Sequence, residues 1–130
     1  MHEMIQPTGW QQPRGYTNGV AAQGKIVFVA GQIGWNESNE FVSDDFAAQA
    51  AQALRNVVAV VEAAGGSAQH IARMTWYVTD KREYIESMPE IGDAYRLIIG
   101  RNYPAMTLVQ VVALLEDRAK VEIEATAVIP

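Results

Sequence analysis

Two glutamates near the C-terminal end of the chain are the residues whose type and spacing best suit acid–base chemistry. Glu122 and Glu124 lie in the segment AKVEIEATAVIP, in which apolar and polar residues alternate. Such alternation is typical of a β-strand, so both carboxylates share one face and their α-carbons lie roughly 6.6 Å apart. One of them would act as an acid or a base if it lay in a dry cleft that raised its pKa. The same pattern fits a solvated strand, which periodicity alone favours.

Other kinds of chemistry find little support in the sequence. The chain has no cysteine, which excludes disulfides, thiolate catalysis and zinc–sulfur sites and is consistent with a reducing compartment. His2 and His70 each lack a second ligand nearby in sequence, so no metal site is expected. No phosphate loop or dinucleotide fingerprint is present, and we therefore expect no cofactor.

Charge and hydropathy limit the possible partners. The formal net charge is −5, and the basic residues are scattered, whereas a nucleic-acid site needs a basic stripe that displaces counterions. No segment has the length and apolarity of a membrane span, and the N-terminal residues lack the apolar core of a signal peptide. We expect no nucleic-acid or membrane partner and a cytoplasmic location.

The length of 130 residues and the hydrophobic fraction of 49% predict a single domain over residues 1–130 with a real core. The first half of the chain is predicted to hold an irregular lead-in over residues 1–18, a strand over 25–31, a short strand at 41–42 and a helix from about 44 to 64. The second half is predicted to hold a strand over 74–80, a second helix from about 88 to 99, and two final strands, beginning at 106 and about 120, that pair as a hairpin. This order predicts an α+β fold in which two helices cover one face of a sheet.

Capping residues set the predicted helix boundaries. Ser43 is expected to cap the first helix, with two aspartates in its first turn, and Gly65-Gly66 to end it. The segment Ser87-Met88-Pro89-Glu90 has the spacing of a capping box and opens the second helix, and KREYI before it is predicted to be an introductory turn.

Three predicted strands carry large apolar residues at both odd and even positions, as if both faces of the sheet were buried. Two helices cover only one face, so another copy of the chain is expected to cover the second face. The alternative is that the long N-terminal segment folds over it.

Six segments, taken together in order, resemble the RidA/YjgF family of enamine/imine deaminases. They are Gly15-Tyr16-Thr17, KIVFVAGQIG, QAAQALRNVVAVVEAAGG, MTWYVTD, YPAMT and VEIEATAV. The resemblance implies a chorismate-mutase-like mixed β-sheet with two helices on one face, assembled as a homotrimer whose clefts lie between subunits. It also implies hydrolysis of 2-aminoacrylate and related imines to a 2-oxo acid and ammonia, without a cofactor.

The same resemblance assigns roles to individual residues. It implies that Glu124 orients or activates the attacking water, that Gly31 and Thr107 offer backbone contacts, and that Tyr16 lines the cleft. Glu122 is then a structural or rim carboxylate.

This chain departs from the family pattern at the substrate anchor. Where the deaminases have Pro-Ala-Arg followed by Ser or Thr, it has Met106, so the guanidinium that would grip a substrate carboxylate is missing. Gly92 stands where the family has an asparagine, and Ala30 replaces a serine. The expected function is hydrolysis of a different small imine or enamine, with Arg14 or Arg101 as a substitute anchor; the alternative is a non-catalytic trimer that binds a small molecule or has a regulatory role.

Overall fold

A four-stranded mixed sheet with helices on one side is the centre of the computed structural model, which describes residues 2–130. The elements in chain order are β1 (Glu3–Ile5), β2 (Gly19–Ala21), β3 (Lys25–Gln32), α1 (Phe46–Ala63), a 3-10 turn at Ala68–His70, β4 (Ile71–Val78), α2 (Lys81–Glu86), α3 (Met88–Ile98), β5 (Ala105–Gln110) and β6 (Val121–Ile129). The sheet order is β3-β6-β4-β5. The predicted α+β class with a mixed sheet and helices on one face is confirmed.

Strand β6 lies at the centre of the sheet, not in the predicted hairpin. It is antiparallel to both β3 and β4, whereas β5 is an edge strand parallel to β4. A parallel pair needs a crossover connection, and α2 and α3 supply it between β4 and β5. The alternation of apolar and polar residues in a strand predicts which side chains share a face, but it does not predict which strands are its neighbours. The prediction of a hairpin between the last two strands was wrong for that reason.

The core lies between the sheet and α1. Leu54, Val57 and Val61 of α1 are fully buried against Met74 and Ile123 of the sheet. The apolar stripe predicted for α1 is therefore the surface that packs on the strands, as amphipathic helices do.

Helix α1 begins later than the sequence predicted. Asp45, not Ser43, is its N-cap, and the Asp45 carboxylate accepts from the amide of Ala48 at 3.0 Å. The Ser43 hydroxyl instead accepts from the Asp45 amide, so it fixes the cap residue. At the C-terminal end Gly65 has a φ of 94°, which confirms the predicted glycine stop.

The capping box predicted at the start of the second helix does not form. Ser87 is the N-cap of α3, but its side chain makes no capping hydrogen bond. The segment KREYI, predicted as a turn, lies within helix α2, whose N-cap Asp80 accepts from the amide of Arg82.

Differences are also found near the N-terminus. Residues 3–5, predicted as irregular, pair with β2 to form a small antiparallel sheet, and the predicted strand at 41–42 is a single bridge between Trp35 and Phe41. Three-residue strands are too short to show a period, so their partner decides their conformation.

The face of the four-stranded sheet opposite the helices is called the open face here. The N-terminal segment leaves it uncovered, because Phe28 is 79% exposed and Ile26 is 56% exposed. The alternative in which that segment covers the face is therefore wrong for residues 2–130. Within the same residues, no helix is long and apolar enough to cross a membrane.

Candidate functional site

A hollow of about 270 Å³ lies on the helix side of the sheet, between α3, the start of β5 and the loop before β2. We call it the helix-side hollow. It brings together three residues that the sequence assigned to substrate binding: Tyr16, Gly92 and Met106. The remainder of its lining is largely aromatic and aliphatic, including Trp76 and Tyr95.

The strand period explains why Met106 lines this hollow. Successive residues of a strand point to opposite faces, and Met106 opposes Met74, a fully buried core residue of β4. Its thioether therefore points to the helix side, where it is 44% exposed at the mouth of the hollow. Thr107, the next residue, must point to the open face.

Two tyrosines on the helix side, Tyr84 and Tyr95, have raised pKa values. The Tyr95 hydroxyl donates to the carbonyl oxygen of Asn102 at 2.7 Å. Burial, and then the neighbouring Tyr103, raise the pKa of the Tyr95 phenol far above its usual range. Burial also raises the pKa of Tyr84. Both phenols therefore stay protonated at neutral pH, and the hydrogen bond to Asn102 holds the Tyr95 hydroxyl in place.

Glu124 lines a second hollow, on the open face. This open-face hollow has a volume of about 380 Å³ and is also lined by Phe28, Arg73 and Thr75. The strand register places Thr75 between Thr107 on one side and Glu124 on the other. A row of polar side chains therefore crosses the open face, and it includes two of the predicted site residues, Thr107 and Glu124.

Tyr77 adds a further hydrogen-bonding group to this row. Desolvation, followed by the negative charge of Glu124 and a hydrogen-bonding interaction with it, raises the pKa of the Tyr77 phenol. The neighbouring charge of Glu122 acts in the same direction, and Arg73 acts against it. Tyr77 thus stays protonated and can donate to a carboxylate on this face.

Gly31 lies on the open face beside Glu122. A β-bulge interrupts the pairing of β3 and β6 between Val29 and Gln32, and a side chain at position 31 would collide with the Glu122 carboxylate. Glu122 is partly buried, whereas Glu124 is exposed. The structure therefore places Gly31, expected to offer a backbone contact, beside Glu122.

Sequence reasoning missed Arg73, Thr75 and Tyr77. They alternate along β4, but the apolar residues between them made both faces of that strand look buried. The two arginines proposed as substitute anchors, Arg14 and Arg101, are exposed and line neither hollow.

The part of the chain that the structure describes contains no cluster of side chains suited to bind a metal ion. No group of three or more His, Asp or Glu side chains is placed to hold an ion there. The His70 ring accepts from the amide of Ser67 at 3.0 Å, which occupies it in a local turn.

The predicted site residues thus fall into two sets on opposite sides of one sheet. Tyr16, Gly92 and Met106 line the helix-side hollow, and Gly31, Thr107 and Glu124 lie on the open face. Within a single copy of the chain, the two sets cannot line one cavity.

Comparison with known proteins gives consistent relatives over almost the whole chain. A family model described as Endoribonuclease L-PSP matches residues 10–129. The 2-iminobutanoate/2-iminopropanoate deaminase of Escherichia coli is 37% identical over 113 residues, which are 87% of this chain and 86% of that protein. The solved structure of the Rid-family protein YyfB from Yersinia pestis covers 98% of both chains, with a TM-score of 0.85 at 28% identity.

A second solved structure, that of Escherichia coli TdcF with bound serine, has a TM-score of 0.69 at 33% identity and covers 98% of this chain and 99% of that one. These matches agree with one another in length, and the two solved structures share the fold of this chain. The chain therefore belongs to the RidA/YjgF family, whose family model is described as Endoribonuclease L-PSP.

Proposed function

We propose that this protein is a homotrimeric hydrolase of a small imine or enamine, with its active sites at the seams between copies. The observation that carries this proposal is the separation of the site residues onto opposite faces of the sheet. If the open face of one copy packs beside the helix-side hollow of the next, the two sets meet in one cleft. The same contact covers apolar side chains that a monomer would leave in water.

The proposed reaction needs water, a base and hydrogen-bond donors, but no redox step. A carboxylate takes a proton from water as the oxygen adds to the carbon of the C=N bond, giving a carbinolamine. The protonated carboxyl returns that proton to the nitrogen, which completes the neutral carbinolamine. The carboxylate then moves the remaining hydroxyl proton to the nitrogen, and ammonia leaves as the C–N bond breaks and the carbonyl forms. The sum is imine plus water giving a 2-oxo compound plus ammonia, so no cofactor is required.

Either open-face glutamate is a candidate for the base. Glu124 carries the sequence prediction and lies in the hollow with Arg73. Glu122 is the less exposed of the two and lies against Gly31, which gives it a more defined position. Comparison of Glu122→Gln with Glu124→Gln separates them, because an amide keeps the shape of the side chain but cannot accept the proton. We expect one variant to lose about 100-fold or more in kcat while the other keeps most of its activity.

Met106 is proposed to change the substrate preference. A thioether offers no charge-assisted hydrogen bond to a substrate carboxylate, whereas an arginine offers a bidentate pair. The relative with bound serine supports a small amino-acid-like ligand for the fold, and the apolar lining here supports a less polar one.

The test is a coupled assay in which 2-iminobutanoate is generated in situ and its hydrolysis is followed with the native chain and with Met106→Arg. We expect slow turnover by the native chain and a clear gain in the variant. Native turnover that the variant fails to increase would contradict the altered preference. A ligand retained by the native chain and recovered chemically unchanged after long incubation would instead support a binding protein without catalysis.

A further inference from the structure

Arg96 is the cation at the helix-side hollow. It lies on α3 one turn after Gly92, and both line the hollow. A Cβ atom at position 92 would lie 3.5 Å from one terminal nitrogen of the Arg96 guanidinium. The guanidinium therefore extends over the space that the missing side chain of Gly92 leaves free.

The guanidinium is only loosely held by the protein. The hydrogen bond that Arg96 makes within residues 2–130 goes to Asp93, three residues earlier on the same helix, and the two side chains are 65% and 78% exposed. Exposed ion pairs of this kind contribute little, because water screens them. A guanidinium has five N–H donors in a planar fork, so a ligand carboxylate can share or displace Asp93.

The rest of the hollow favours an apolar group on the ligand. Tyr16, Met88 and Met106 line the hollow beside the arginine and are 54%, 52% and 44% exposed, so each presents apolar surface to it.

We propose that Arg96 anchors the carboxylate of an imino acid that has an aromatic or other bulky apolar side chain. This inference rests on the proposed function, because it names the substrate class of the same cleft. The anchor is moved from the strand position occupied by Met106 to the helix position 96, and Gly92 leaves the space for it. A small imino acid would hold the charge but leave the apolar walls in contact with water.

Equilibrium binding of a product analogue tests the inference without catalysis. Calorimetric titration with phenylpyruvate, an aromatic 2-oxo acid, is compared with 1-phenylpropan-2-one, which is similar in shape but lacks the carboxylate. We expect Arg96→Ala to weaken phenylpyruvate binding by about 10- to 100-fold, with no change for the uncharged ketone. The affinity of Arg96→Lys for phenylpyruvate should lie between those of the native protein and Arg96→Ala. Asp93→Asn should bind phenylpyruvate more tightly, because it removes the competing carboxylate.

Arg101→Ala is the matched control, since Arg101 is an exposed cation near the same helix that does not line the hollow. Equal affinity of native and Arg96→Ala proteins for phenylpyruvate would overturn the anchor, as would equal effects of Arg96→Ala and Arg101→Ala. Imine hydrolysis with no dependence on Arg96 leaves the proposed function standing and removes only this inference. Binding that depends on Arg96 without any hydrolysis would support the anchor and contradict the proposed hydrolase function.

Discussion

Tyr95 links the chemistry of a single side chain to the pH dependence of stability. Its pKa is raised above the ordinary value of 10.0, chiefly by burial. The folded chain thus binds this proton more tightly than the unfolded chain, so the contribution is intact below pH 10.0 and is lost as the pH rises above it. We expect Tyr95→Phe to cost about 1 kcal/mol at neutral pH through the lost hydrogen bond and to weaken the alkaline decline.

Urea unfolding of both proteins at neutral pH and at about pH 11 measures this difference. The free energy of unfolding of the native chain should fall more steeply between the two conditions. Parallel declines would mean that Tyr95 ionises alike in the folded and unfolded chains.

The positions of individual site residues were predictable from the sequence only where they depend on a short local segment. Tyr16, Gly92 and Met106 meet in one hollow, and the period of a strand explains why Met106 and Thr107 lie on opposite faces. The neighbours of Glu124 across the sheet were not predictable. They depend on the register of β4 against β6, which is set by tertiary packing and not by the local sequence.

At the scale of elements, the positions of the helices and long strands were predictable from the periodicity of apolar residues. The pairing of the strands in the sheet was not. The apolar stripe of α1 predicted the packed helix because burial of that stripe is what stabilises it. Strand β6 lies at the centre of the sheet, between β3 and β4. Its alternating pattern is compatible with a hairpin to β5 as well as with the observed pairing to β3 and β4.

The caps of α1 and α3 give a matched pair of predictions. Asp45 accepts a hydrogen bond from the amide of Ala48, whereas the Ser87 side chain makes no capping bond. We expect Asp45→Ala to lower the free energy of unfolding by about 1 kcal/mol and Ser87→Ala to change it by less than about 0.5 kcal/mol. Chemical denaturation of the two variants beside the native chain measures both values. A larger loss at Ser87 would show that its hydroxyl caps α3 in solution.

At the scale of the whole molecule, the open face decides how many copies the native state contains. Phe28, Ile26 and Val109 present apolar surface on a sheet whose other side is already packed. Exposed apolar side chains of this kind are costly in water, and both their burial and the proposed cleft require a second copy. Assembly and site formation are therefore expected to fail together.

Phe28→Asp tests this coupling, because an interface that buries position 28 would also bury an unpaired carboxylate. Native protein should sediment at micromolar concentration as a species of three times 14.3 kDa, and the variant as a monomer with an unchanged far-UV circular dichroism spectrum and no hydrolase activity. Leu97→Asp is the control. Leu97 is 86% exposed on α3, lies away from the open face and does not line the helix-side hollow, so this change should leave the trimer intact. A native chain that sediments at 14.3 kDa would remove the cleft, because the two sets of site residues would then have no means of meeting.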